Sequence, residues 1–325
     1  MTLYLVLLLY IPLILLAICS EKDEGILKGA FLYILLFFIF FHIDAGPDHH
    51  VYQWAYYEPP FTIPFEPVFG LLLATAKLFG LDYIEFLVAL RLISFILFAY
   101  ACLKLDKTKF IFLMGLYIPI SFITFELNLL RQSLSLHFGL VAVCLYLKNR
   151  EKTSYMFMIL AVMSHLSAIV MTLIYLNKIK AKVLVLLGMA GLMILMLALP
   201  AIISKVNDYQ ALGALNIRLD VAMLQLIVLM FLPFVFFKTQ GGLLTTLLYV
   251  ALCVLTFIPV LIRLYPIALL ILLPSIAMAK GNKKMTTLCL FVCISFFMTI
   301  GKTYLLLQAD LHAIQEGTYQ HGYTK

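Results

Sequence analysis

Charge is what this chain has least of. Only 12% of its 325 residues are Asp, Glu, Lys or Arg, against roughly 25% in a soluble domain. So little charge cannot clothe a water-soluble surface, and with 64% hydrophobic residues and a mean hydropathy of +1.08 a soluble enzyme is excluded. Cysteine is sparse. Its six copies (Cys19, Cys102, Cys144, Cys253, Cys289, Cys293) lie in or at the ends of apolar runs, where thiols act as small hydrophobes. Neither a disulfide framework nor a metal cluster is predicted. Long runs of one charge are also missing: despite a net charge of +7, Lys and Arg come in short separated clusters, which argues against a nucleic-acid surface. No internal repeat and no soluble module is visible.

What is there is apolar sequence, in runs near the ~20 residues that cross a bilayer core. These recur from Leu3 to Ile300, so the chain is expected to be one all-α, polytopic transmembrane domain over 1–325. The first run lacks a basic start and a small-residue cleavage site, and is expected to be a retained helix. Basic clusters at Lys104, Lys107 and Lys109, at Lys148, Arg150 and Lys152, at Lys178, Lys180 and Lys182, and at Lys280, Lys283 and Lys284 are expected on the cytoplasmic side. Counting outward from them gives about ten crossings. They fall near 3–20, 26–43, 84–103, 110–126, 132–147, 183–203, 220–237, 243–261, 265–279 and 285–300, with an extracytoplasmic tail over 301–325.

Two segments do not fit a plain crossing. The stretch 67–80 has only 14 residues, and counting it would put the lysines at 104–109 outside, so an interfacial or re-entrant helix is expected. The stretch 154–176 is flanked by basic clusters and broken at its centre by Ser164, His165 and Ser167. It is either a single crossing or, the reading favoured here, two half-helices meeting at His165, which requires protein or a water-filled cavity around the tip. The polar stretch 44–66, rich in turn formers and aromatics, is expected to be an ordered extracytoplasmic loop.

Charged groups at membrane depth are costly and tend to mark function. Arg91, eight residues into an apolar helix, offers five fixed donors to a phosphate, or pairs structurally with an acid. Arg131 and Gln132 are expected on an outward turn, three and four residues after Asn128. One helical face then presents a cation and two amides, suited to pyrophosphate or sugar hydroxyls, or simply an interfacial anchor. Glu126 is open to salt-bridging or catalysis, and its offset of five from Arg131 is a poor helical pairing. His137 lies one turn beyond Ser133, where hydrogen bonds to neighbours suffice, whereas a chain break would expose His165. Arg263 and Tyr265 share a short outer turn, where the arginine binds phosphate or snorkels. In the outer loop Asp48, with Asp44, His49 and His50, forms an acceptor subsite or a scaffold, since adjacent histidines seldom share one ion. Glu66 before Pro67 favours a helix dipole as a cap or touches substrate, and Tyr52 and Trp54 stack on sugars or anchor the interface.

These residues form a pattern: Gly46 and Asp48 with Tyr52, then Glu66 before a short helix; Asn128, Arg131 and Gln132 opening a helix; His165, Ser167 and Ala168 in the next apolar segment. Their order and spacing resemble EpsG-like and Wzy-type polysaccharide polymerases over about 44–176, more weakly at Arg263 and Tyr265. Pro47, Ser164, Ser133 and Ser135 depart from that family's commoner threonine, aromatic and alanine residues. The resemblance implies a GT-C-like, metal-independent glycosyltransferase of the bacterial inner membrane, without cofactor, its active site facing outward. It would move a glycan from undecaprenyl-pyrophosphate onto a lipid-linked repeat unit of O-antigen, capsule or exopolysaccharide. Implied partners are the lipid-linked oligosaccharide, membrane lipid and a chain-length regulator. On this reading Arg131, Arg91 and Arg263 hold pyrophosphate, His165 or Asp48 is the base, Asn128 and Gln132 orient sugar, and Tyr52, Glu66 and Tyr265 line the substrate. A flippase for the same lipid, a ligase and a structural subunit are the rivals; many transporters have two repeated halves, and none are visible here.

Overall fold

The structure, a computed structural model, describes residues 7–19, 21–41, 49–59, 65–126, 129–178, 270–271, 273–276 and 282–315. Among these the regular elements are all helical. In order they are α1 (Tyr10–Ile18), α2 (Glu24–Phe41), α3 (His49–Tyr57), α4 (Pro67–Leu78), α5 (Tyr83–Lys104) and α6 (Lys107–Tyr117), which widens into a π-helix, Ile118–Glu126. Then come α7 (Leu130–Leu147), α8 (Glu151–Ser164), a 3-10 helix (Leu166–Lys178) and α9 (Asn282–Gln315). Among the described residues four stretches are long and apolar enough to cross a membrane: α2, α5, α7 and Lys284–Gly301 within α9. The crossings expected at 183–203, 220–237 and 243–261 lie outside the described residues, as does most of 265–279.

Local chemistry sets the helix starts. Asp82 and Glu85 form a reciprocal capping box, with Asp82 Oδ1 accepting from the Glu85 N–H at 2.7 Å and Glu85 Oε2 from the Asp82 N–H at 2.8 Å. Asp106 caps α6 by accepting from the Lys109 N–H at 2.9 Å. Lysines satisfy helix ends: Lys107 Nζ donates to the Cys19 carbonyl after α1 (2.8 Å), and the buried Lys28 Nζ to the Leu105 carbonyl after α5 (2.6 Å). The change from α to π falls at Ile118, one residue before Pro119, which has no N–H for the Gly115 carbonyl four residues back. That carbonyl accepts the Ser295 hydroxyl of α9 at 2.5 Å.

Central to the bundle is α7, 83% buried, whereas the other three spans are 28–44% buried. It packs against α5 on one side and α8 on another. After α8 the chain breaks at His165, extended at φ −165° and ψ 130°, and doubles back. Tyr175 OH comes within 2.6 Å of Ser154 Oγ, and its ring centroid within 4.7 Å of that of Tyr155. The two segments thus form the hairpin favoured from sequence.

Three expectations are corrected. The polar stretch 44–66 is not simply a loop, since 49–57 form α3, where no helix breaker interrupts and Tyr52 and Tyr56 bury one face. The helix expected from 132 starts at Leu130, so that Arg131 joins Gln132 inside the first turn of α7. And α9 runs on to Gln315 instead of ending before a tail at Gly301, because that lone glycine is a weak helix breaker among good helix formers.

Candidate functional site

Glu66 sits at the start of α4, and its backbone has N-cap geometry, yet its side chain makes no cap bond. Instead Oε2 accepts from Arg131 Nη1 of α7 at 2.6 Å. The other carboxylate oxygen, Oε1, lies 3.6 Å from His165 Nε2 at the hairpin tip. Gln132, next to Arg131, places its amide 3.4 Å from the same Nε2. Three segments far apart in sequence thus bring together a guanidinium, a carboxylate, an amide and an imidazole. The Arg131 and Glu66 side chains are 28% and 16% exposed, open enough for a ligand to reach. Arg131 Nε and Gln132 Oε1 are among four buried side-chain atoms without a hydrogen-bond partner among the described residues, with Arg91 Nε and Ser121 Oγ, and are the two that lie at this site.

Aromatic rings wall the site. The Arg131 guanidinium lies 4.8 Å from the Phe65 centroid and 6.0 Å from that of Tyr52, within cation–π range. Tyr52 is only 3% exposed and packs on Phe65 and Phe69. It therefore supports Arg131 rather than offering an open stacking face, while Trp54 and Tyr57 on the same helix are exposed. Tyr56, Phe69, Tyr83 and Phe86 continue this wall as a small second core.

A second polar group lies deeper. Glu126, at the end of the π-helix, is buried and accepts from Ser133 Oγ at 2.8 Å and from the Tyr117 hydroxyl. His137 Nε2 stands 2.9 Å from its Oε1, and His137 Nδ1 is 2.7 Å from Ser94 Oγ of α5. Arg91 belongs to this group, its Nη1 donating to the Glu126 carbonyl at 2.6 Å. The expected phosphate ligand Arg91 is thus tied to backbone, and His137 pairs with Glu126 rather than only with sequence neighbours. Ser133 joins the two groups through α7: its first turn is held by Glu66 at Arg131, by His165 at Gln132 and by Glu126 at Ser133.

Of the residues expected from sequence, Glu66, Arg131, Gln132, His165 and Tyr52 converge, and Asp48, Asn128, Arg263 and Tyr265 lie outside the described residues. Phe65 was missed, because an aromatic beside a carboxylate carries no signal until Arg131 is seen over it. Tyr117 and Ser94 were missed because their partners are distant in sequence.

A bundle of membrane-length helices enclosing a paired cation and carboxylate, with an imidazole at a re-entrant tip, defines an integral membrane protein with an internal polar site. The EpsG family model matches residues 3–312, nearly the whole chain, so the protein belongs to the EpsG family, a Wzy-type polymerase-like family. Membership gives it a polysaccharide polymerase-like role. No curated protein and no solved structure matches the chain.

Proposed function

We propose that this protein is a polysaccharide polymerase of the bacterial inner membrane that transfers a growing glycan from undecaprenyl-pyrophosphate onto a lipid-linked repeat unit. The observation that carries the reading is the meeting of Arg131, Glu66, Gln132 and His165 at one end of α7. This reaction must hold a departing pyrophosphate and take a proton from a sugar hydroxyl. A guanidinium suits the first task, a carboxylate or imidazole the second, and an amide orients sugar hydroxyls.

Orientation supports the same reading. The lysines at 104–109 and Lys148 cluster at the opposite end of α5 and α7. At ~1.5 Å per residue Lys148 is about 25 Å from Arg131. The positive-inside rule puts those lysines in the cytoplasm and the site outside, where lipid-linked repeat units are joined. Ten crossings, a GT-C-like arrangement and contributions from Asp48, Asn128, Arg263 and Tyr265 complete the proposal.

The test is an assay of the purified full chain with a lipid-pyrophosphate-linked repeat unit from its own organism, resolving products by length. Wild type is expected to give a ladder, and Arg131→Ala to lose it by about 10²-fold or more while staying folded, as for removal of one charge-stabilising donor. Normal chain length in Arg131→Ala overturns the site. Absence of a wild-type ladder, with the lipid-linked substrate carried across liposomes, makes the protein a transporter.

A further inference from the structure

The hydrogen bonds of His165 assign its protons. The backbone N–H of Ser167 donates to His165 Nδ1 at 3.2 Å. An N–H can only donate, so Nδ1 is an acceptor and carries no hydrogen. The Ser167 hydroxyl, 2.7 Å from the same nitrogen, is therefore a second donor. A neutral imidazole has one bare nitrogen, and with Nδ1 in that role the hydrogen sits on Nε2, the nitrogen that faces Glu66 and Gln132. An N–H there cannot donate to an amide NH2. Turning the Gln132 amide over, which changes no heavy-atom shape, gives Nε2–H a carbonyl acceptor and employs the oxygen otherwise left without a partner.

An imidazole whose inward nitrogen holds a hydrogen cannot take one from substrate. Glu66 can. Its Oε2 is engaged by Arg131, and an ion-paired carboxylate is the anionic form that a base requires. Its Oε1 stands 3.6 Å from Nε2, beyond hydrogen-bond length, and among the described residues no hydrogen bond to it is made, so it can accept from a hydroxyl.

We infer that Glu66 is the general base of the transfer and that His165, locked by Ser167 as an Nε2–H donor, is a positioning residue. This rests on the polymerase reading above and deepens it. Glu66 Oε1 takes the proton of the acceptor hydroxyl as that oxygen bonds to the anomeric carbon of the donor glycan. The anomeric carbon–oxygen bond to pyrophosphate breaks, and its electron pair leaves on the pyrophosphate, whose charge Arg131 meets.

The discriminating pair is Glu66→Gln and His165→Gln, with Glu66→Asp as a conservative control, all in the full chain with the lipid-pyrophosphate-linked repeat unit. Glutamine at 165 preserves an N–H donor near the Nε2 position and cannot act as a base. Glu66→Gln is expected to lose about 10²- to 10⁴-fold in kcat, the range for removal of a general base, with KM within about threefold and unchanged melting in detergent. Glu66→Asp recovers part of the rate, and His165→Gln, which weakens a positioning contact, loses at least about tenfold less than Glu66→Gln. The reverse order, an active Glu66→Gln and a dead His165→Gln, overturns the assignment while leaving the polymerase intact. A wild type without any ladder overturns both. Independently of activity, a 15N-histidine spectrum of the protein, differenced against His165→Gln, is expected to show a bare Nδ1 and a protonated Nε2; a hydrogen on Nδ1 would defeat the argument.

Discussion

At the scale of single residues, side chains here do work that their neighbours in sequence do not reveal. Glu66 occupies an N-cap position without capping, because a guanidinium 65 residues away offers a full charge where the helix end offers about half of one. Asp106 shows the opposite outcome: its ion pair is with Lys109, three residues on, and its carboxylate stays on its own helix as a cap. Replacing Asp106 by Ala should lower the stability of the detergent-solubilised protein by about 1 kcal/mol, read as a lower melting temperature. Burial tends to raise the Asp106 pKa, but the hydrogen bonds and charge of Lys109 outweigh it and hold it below the usual carboxylate value. A depressed folded value means that the contribution is complete above the unfolded value, about 3.9, and is lost as pH falls through the lower folded one. The gap between wild type and Asp106→Ala should accordingly be constant from neutral pH to about 5 and narrow only below about 4; a gap that grows on acidification contradicts this.

At the scale of elements, the decisive feature is the hairpin of α8 and the 3-10 helix. A single crossing would put its two ends on opposite faces of the membrane. The contact of Ser154 with Tyr175 instead brings the ends together and leaves His165 at the tip. Ser135 of α7 donates to the Ala161 carbonyl at 2.8 Å, a second donor beside the His165 N–H at 3.1 Å, and so ties the break to α7. Lys152→Cys and Lys178→Cys, made singly, should both react with a membrane-impermeant maleimide from the same side. Labelling from opposite sides would reduce the hairpin to a plain crossing and remove His165 from the site.

At the scale of the molecule, α1, α6 and α9 are knotted by few polar contacts. Tyr10 OH reaches Ser295 Oγ at 2.7 Å and Thr299 Oγ1 at 2.5 Å, and Ser295 turns to the Gly115 carbonyl. Gly115 has no room for a side chain, since a Cβ there would lie 2.5 Å from the Phe291 ring, which stacks on Phe112 at 5.4 Å. Gly115→Ala should therefore cost about 1–3 kcal/mol through overpacking, lowering the melting temperature. Gly115→Ala combined with Phe291→Leu should recover part of the loss; equal melting of Gly115→Ala and wild type would mean that α6 and α9 are not in this contact.

The amino-acid sequence by itself determined the membrane class and the helical architecture, which follow from hydropathy and segment length; it favoured a break at His165 on a polar interruption, and the fold decided between that and a single crossing. The sequence also singled out Glu66, Arg131, Gln132 and His165 one by one, since charge and imidazole stand out against so apolar a background. Their partners were not legible. Arg131 has Glu126 five residues away and Asn128 three away, and only the packing of α4 against the hairpin and α7 shows that Glu66 takes the guanidinium while Glu126 goes to His137. Nor did the residue type of His165 say which nitrogen holds its hydrogen. That was decided by the backbone N–H of Ser167, placed by the turn at the hairpin tip, because a donor's direction exists only once the chain around it is folded.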